Sequence, residues 1–336
     1  MTAREPLGVA VMGLGFMGRT HLEAYRSAAA AGFPNRLVAV CDPDRERRAG
    51  RLTSTGNLGA NASAELAFDP ATVFATDEVD ALLARSDVAL VSICTPTESH
   101  VALAERALAA GKHVLLEKPV ALRSADAERL REAARSAHGA CVPAMCMRFW
   151  PGWRTLLEEL RRGTLGAPRS ATFRRLGSRP TWSSFYADPE RSGGALLDLH
   201  VHDVDFAIRA FGPPDAVHAF GDVDHLTAEF RYERGPAHVA LEAGWDHSPG
   251  WPFRMGYTVV FERGTLEFDS TRAEPLQLTK DGRTSAVPLE PGTGYDFEVR
   301  HLLGALAAGT RAGLPTLDEA VVVLRWIERE RDLLAR

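Results

Sequence analysis

Apolar residues come in short runs through the first third of the chain, at 7–12, 37–41, 72–75, 88–94 and 112–116, with helix-like spacing between them. Strands that are apolar on both sides and separated by helices predict a parallel sheet covered on both faces by crossover helices. A helix over 124–137 and a strand near 140–147 are expected to complete this half. Beyond a helical stretch at 151–162 the period changes to two. In 226–232 the apolar set is Leu226, Ala228, Phe230 and Tyr232, and in 237–245 it is Ala237, Val239, Leu241, Ala243 and Trp245. Such alternation means strands with one buried face. The segments 255–261 and 266–268 continue it, and the connections at Arg234-Gly235 and Arg263-Gly264 suit hairpins. The expectation is a large, mostly antiparallel sheet. A helix over 194–211 should cover one face, and a second copy of the chain the other. The last helix, over 316–334, starts at a capping box formed by Thr316 and Glu319 and carries Leu317, Val321, Leu324 and Ile327 at helical spacing. It is expected to dock back on the body. The fold class is therefore an α/β Rossmann domain with a doubly wound parallel sheet over 1–123. An α+β domain over 124–336 follows, for substrate binding and oligomerisation, the boundary being soft between 120 and 150.

A chain of 336 residues exceeds what one hydrophobic core usually supports, which agrees with two domains. Its net charge of -5 and pI near 6.1 give no general electrostatic reason to bind nucleic acid or an anionic membrane. A small-molecule partner fits better. No apolar run approaches the ~18 residues of a membrane span, and the short stretch before the first strand leaves no room for a cleavable leader, so a cytoplasmic protein is expected. Cys41, Cys94, Cys141 and Cys146 lie in or beside apolar stretches without a CxxC pair, and read as reduced core residues.

The first strand runs directly into Gly13-Leu14-Gly15-Phe16-Met17-Gly18, a GxGxxG between an apolar run and a helical stretch. Gly13 permits the tight turn, Gly15 lets backbone approach a pyrophosphate, Gly18 lets helix and strand pack, and the helix start at Phe16 and Met17 offers N–H groups to phosphate. The second strand ends in Asp42, near the expected place for an acid that accepts hydrogen bonds from ribose hydroxyls. Such an acid repels a 2'-phosphate, so NAD is favoured over NADP, a preference that Arg45 or Arg47 would weaken. The plainer reading is a strand-helix turn with Asp42 as a capping acid before Pro43.

Three further segments follow: Cys94-Thr95-Pro96-Thr97-Glu98-Ser99-His100, then Gly111 through Glu117-Lys118-Pro119, then Gly193-Gly194-Ala195-Leu196-Leu197-Asp198-Leu199-His200-Val201-His202. With the glycine turn and the Arg148-Phe149 pair, they resemble the Gfo/Idh/MocA family of glucose-fructose oxidoreductases and inositol dehydrogenases over nearly the whole chain. The Glu-Lys-Pro triplet is the most specific element. The resemblance implies a nicotinamide-dependent dehydrogenase acting on a secondary alcohol of a sugar, sugar acid or cyclitol. It also implies that Lys118, Asp198 and His202 are catalytic, that Thr95, Pro96, His100, Glu117 and Lys118 lie at the cofactor, and that the Lys118-Pro119 bond is cis.

Lys118 lies just beyond a predicted strand end, where ligands of open parallel sheets bind. On a continuous helix Asp198 and His202 would project roughly 40° apart, so the acid could fix the imidazole tautomer and leave the other nitrogen as a base. His200 stands where many family members have a small residue. With His202 and Asp203 it looks like a metal cluster, but the two imidazoles would sit roughly 160° apart on a helix, so no metal is expected and His200 reads as structural or pocket-edge. Arg148, Trp182 and Tyr186 are the substrate-side candidates, for a polyhydroxylated ligand. Trp245 reads as core. Two other functions stay open: a glycosidase-type reaction with transient oxidation, and a non-catalytic NAD-binding sensor. The expected assembly is a homodimer or homotetramer through the C-terminal sheet.

Overall fold

The computed structural model describes residues 5–52 and 66–335. They divide into two units, Met1–Cys146 with Tyr295–Val321 and Met147–Gly294 with Val322–Arg336. The first unit extends to Cys146 and takes in residues 295–321 near the C-terminus. Among the described residues, the helices of ten residues or more are α1 (Phe16–Ala30), α2 (His100–Ala109), α3 (Ser124–Arg135), α4 (Pro151–Arg162), α5 (His200–Phe211), α6 (Gly294–Ala307) and α7 (Leu317–Leu334). None is long and apolar enough to cross a membrane.

The first unit holds strands β1 (Leu7–Met12), β2 (Asn35–Cys41), β3 (Phe74–Thr76), β4 (Leu90–Ile93), β5 (His113–Leu116) and β6 (Cys141–Pro143). They run in the order β3-β2-β1-β4-β5-β6 and every pair is parallel. The chain order reverses between β1 and β4, and at such a switch point the carboxyl ends of the strands open a crevice for ligands. Val9, Val11, Val40, Leu90 and Leu115 form the core, joined by Val299, Leu302 and Leu303 of α6. The expected strand at 140–147 stops at Pro143, whose nitrogen has no proton to donate, and Cys146–Phe149 forms a 3-10 turn instead. All four cysteines are free. Burial pushes the Cys141 thiol up to about 12, which makes it unreactive at neutral pH.

The second unit holds β7 (Pro168–Ser178), β8 (Ala216–Gly221), β9 (His225–Arg231), β10 (His238–His247), β11 (Arg254–Phe261), β12 (Gly264–Asp269), β13 (Leu276–Lys280) and β14 (Arg283–Ala286). Their order is β14-β13-β12-β11-β7-β10-β9-β8, antiparallel throughout except where β7 meets β10. The inner face packs aromatic rings against α4 and α5. Trp153 lies 4.6 Å from Phe268 and 5.3 Å from Tyr257, with Phe206 edge-on at 6.4 Å, arrangements that suit the ring quadrupoles. Gly152 permits that packing, since a Cβ there would come within 2.4 Å of the Phe268 ring. Near the end of β10 the ladder slips: Asp246 and His247 both stand opposite Ser178, a β-bulge.

Two expectations about helices come out differently from each other. The capping box is present, with the Glu319 N–H donating to Thr316 Oγ1 at 3.2 Å and the Thr316 N–H to Glu319 Oε2 at 2.9 Å. The single helix over 194–211 is instead two, Gly194–Asp198 and α5, with Leu199 between them at φ -101 and ψ -52. Leu199 stays in the right-handed helical region, and the His202 N–H still reaches the Leu199 carbonyl at 3.3 Å, so the break between Asp198 and His202 is a local distortion of one turn.

Candidate active site

Within the first unit, the predicted cofactor residues gather at the carboxyl edge of the parallel sheet. Gly13 follows β1 at φ +82, and a Cβ there would meet the Cys94 carbonyl oxygen at 2.7 Å. A Cβ on Gly18 would reach the Gly13 carbonyl oxygen at 1.9 Å, so this glycine is what lets α1 sit against the turn. Gly15 differs: a Cβ there would meet no protein atom within 4 Å. Protein packing does not require a glycine at that position, whereas a phosphate approaching the backbone would. The N-terminus of α1 behind it has no side-chain cap and no acid in its first turn. Phe16 and Met17 supply its first residues, so the turn retains the electropositive helix end that a pyrophosphate seeks.

Asp42 lies at the end of β2 and is 2% exposed. Its carboxylate accepts from the Leu14 N–H at 2.6 Å and the Asp44 N–H at 2.8 Å, and so ties the glycine turn to the β2 exit. Arg47 approaches the same carboxylate at 3.6 Å. The helix that follows is capped not by Asp42 but by Asp44, whose side chain accepts from the Glu46 and Arg47 N–H groups.

Thr95 and Pro96 follow β4, and Glu117, Lys118 and Pro119 follow β5. His100, at the start of α2, spans the two loops: Nδ1 is 2.8 Å from the Pro119 carbonyl oxygen and Nε2 is 2.8 Å from that of Thr95. Burial lowers the His100 pKa against the pull of those two carbonyls, so the neutral ring donates to one of them at a time. Glu117 is buried, 2.9 Å from His21 Nε2 of α1, and accepts from the Lys118 N–H at 3.1 Å. The Lys118-Pro119 bond is cis, and Lys118 is half-buried at the loop. His21 is a residue the sequence reading missed; its place one turn into α1, after Gly18, is the signal that points it at the sheet edge.

In the second unit, Asp198 ends the short helix and His202 lies in the first turn of α5, 8% exposed. The helix is anchored by buried ion pairs. Arg175 of β7 grips Asp203 in a two-pronged contact at 2.9 and 3.1 Å, with both side chains at most 3% exposed. Arg148 grips Asp205 in the same manner at 2.5 and 2.8 Å. Arg148, a substrate candidate by sequence, thus has its guanidinium engaged in holding α5. His200 stands 2.8 Å from Glu330 of α7, both fully buried, without the angles of a hydrogen bond. Trp182 and Tyr186 are half-buried and stack edge-on at 5.7 Å, and Tyr186 lies edge-on to Trp245 at 6.0 Å. Trp245 itself is core, 1% exposed. These three rings form one aromatic group beyond the end of β7.

Residues 7–144 match the family described as an oxidoreductase family with an NAD-binding Rossmann fold, and residues 153–267 match the GFO/IDH/MocA C-terminal domain. Over 310 residues the chain is 32% identical to the UDP-N-acetylglucosamine 3-dehydrogenase of Acidithiobacillus ferrooxidans, covering 89% of this chain and 88% of that protein. The solved structure of that enzyme superposes with a TM-score of 0.77 at 27% identity over 98% of both chains. An uncharacterized oxidoreductase of Synechocystis sp. is 31% identical over 224 residues, 65% of this chain but 55% of that protein's length. Levoglucosan dehydrogenase in complex with NADH and L-sorbose shares the fold over 99% of this chain and 97% of that one, with a TM-score of 0.81 at 20% identity.

Proposed function

The chain belongs to the Gfo/Idh/MocA oxidoreductase family, and on that premise we propose that it oxidises a secondary alcohol of a sugar, sugar acid or cyclitol with NAD. The observation that carries this reading is the uncapped start of α1 beside an open Gly15, at the same sheet edge as Lys118. Gly13, Gly15, Phe16, Met17 and Gly18 would hold the pyrophosphate, Asp42 would disfavour a 2'-phosphate by its charge, and Thr95, Pro96, His100, Glu117 and Lys118 would line the nicotinamide half. When bound, NAD supplies the hydride acceptor. His202 takes the proton of the substrate hydroxyl as general base, Asp198 orients it, and Lys118 stabilises negative charge developing on the oxygen. Trp182 and Tyr186 offer ring faces to the apolar side of a sugar, and Arg148 acts on the substrate at most through its hold on α5. The relative named for UDP-N-acetylglucosamine supports a carbohydrate substrate. A homodimer or homotetramer through the outer face of the eight-stranded sheet, where Phe220 is 65% exposed, completes the proposal and is testable by light scattering.

The experiment is a screen of sugars, sugar acids and cyclitols with NAD or NADP, followed by absorbance of the reduced nicotinamide. Lys118→Ala and His202→Ala should each lower kcat/KM at least about 100-fold, and values within about threefold of the parent would remove these residues from the chemistry. Substrate consumption without net NADH would instead indicate the glycosidase-type reaction. Tight NADH binding without turnover on any substrate would indicate a sensor.

A further inference from the structure

The outer face of the second sheet carries a side-chain cluster that the dehydrogenase chemistry does not use. His225 opens β9 directly opposite Gly244 of β10. Its ring rests on that glycine, where a Cβ would come within 2.8 Å of the imidazole. Because side chains alternate along a strand, residues 242, 244 and 246 share one face, and Glu242 and Asp246 flank the ring. Asp246 Oδ1 lies 2.7 Å from His225 Nδ1, and Glu242 Oε1 lies 3.6 Å from its Nε2.

Alternation alone would turn His247 to the opposite face. The bulge cancels that turn, since Asp246 and His247 share Ser178 as their partner, and bulges re-aim side chains in this way. His247 Nδ1 thereby comes to 3.7 Å from the same Asp246 oxygen. One ligand atom each from His225, Asp246 and His247 all lie within 4.8 Å of one another. Around a tetrahedral ion with bonds near 2.0–2.1 Å, donors stand about 3.3 Å apart, so small rotations suffice. His247 Nδ1 is shielded from solvent and makes no hydrogen bond, a costly state for a polar atom that a cation would relieve. Trp251 backs the His247 ring at 4.0 Å, tilted 27°.

From this geometry we propose that His225, Asp246 and His247 form a binding site for a divalent transition-metal ion of the zinc class, with water completing the coordination. Two imidazoles and one carboxylate suit zinc better than calcium or magnesium, which prefer all-oxygen sites. Glu242 stands behind His225 as the acid that fixes a ligating imidazole, and Arg174 holds the other oxygen of that carboxylate at 2.9 Å. The ion would fasten the start of β9 to the end of β10. All three ligands come from one chain, so the site does not depend on assembly, and it uses none of the residues assigned to the dehydrogenase chemistry.

The test uses the full chain stripped by a chelator, titrated with zinc by calorimetry and with cobalt by visible absorption. One saturable ion per chain is expected, with cobalt giving the d–d bands of a low-coordinate nitrogen site. His225→Ala and His247→Ala should each weaken binding at least about 100-fold, and Glu242→Gln about 10-fold at unchanged stoichiometry. Each stripped variant should keep the far-ultraviolet circular dichroism and the cooperative urea unfolding of the stripped parent, which confirms that they are folded. If His247→Ala does not fold, the exposed Asp246→Asn carries the same expectation. No saturable binding by the parent chain overturns the proposal, as does undiminished binding in the His225→Ala, His247→Ala double variant.

Discussion

At the carboxyl edge of the first sheet, the buried carboxylates of Asp42 and Glu117 accept from backbone N–H groups and from one imidazole. Around α5 of the second unit, the buried carboxylates of Asp203 and Asp205 face guanidinium groups from other elements. A backbone donor remains in place whatever the side chains are, so the first arrangement strands little when one member changes. A guanidinium whose acid has been removed is left as a buried charge. The first unit should therefore show its sensitivity in ligand binding, and the second in stability.

The largest effect should come from breaking a pair in the second unit. Asp203→Ala leaves Arg175 buried without its acid and is expected to cost about 3–5 kcal/mol, read by urea unfolding. Replacing both partners, Arg175→Met with Asp203→Leu, should recover much of that loss. A single-variant cost below about 1 kcal/mol would place the pair among weak surface contacts and erase the contrast. Next comes Gly18→Ala, whose methyl must displace the Gly13 carbonyl 1.9 Å away. It should cost about 1–3 kcal/mol by overpacking and also weaken NADH binding. Gly15→Ala sharpens the comparison, because its methyl meets only open space. Stability should change by less than about 0.5 kcal/mol while NADH affinity, followed by fluorescence, falls about tenfold, equivalent to roughly 1.4 kcal/mol.

The smallest effect concerns acid. Burial lowers the pKa of His100 and of His113. Between the folded value and the ordinary one near 6.5, the unfolded chain binds the extra proton. The stability these rings permit is thus complete above about 6.5 and is lost as pH falls towards the folded values. Each group contributes a slope of at most about 1.4 kcal/mol per pH unit. His100→Asn should flatten the acid limb of the urea midpoint between pH 7 and 5, whatever it does to the midpoint at pH 7; an unchanged slope would mean that the ring takes up its proton at the same pH in the folded and the unfolded chain.

The same contrast explains what could be read from the chain. The glycine turn, Asp42 and the Glu-Lys-Pro triplet are contiguous in sequence, and the doubly wound order follows from apolar runs of a few residues. β7 escaped notice although it is central to its sheet. Its inward positions are Ala171, Phe173, Arg175 and Gly177, and Arg175 reads as surface until Asp203, 28 residues away, is seen to neutralise it. The break at Leu199 carries no proline and no glycine to announce it. α6 was invisible because its apolar residues pack into a core formed by strands some 200 residues earlier. The stapling role of His100 and the hold of Arg148 on Asp205 are likewise contacts across the chain, which local spacing does not encode.

The bulge at Asp246 and His247 absorbs one residue without lengthening the sheet, so it sets the parity of the chain that follows. Upstream, Val239, Leu241, Ala243 and Trp245 keep their inward positions whatever the count at the bulge. Deleting Asp246 would move His247 into its outward place, costing the outer face a carboxylate and leaving the buried face of β10 untouched. Heredity can thus vary the chemistry of this outer face by single-residue steps, independently of the core that keeps the sheet folded.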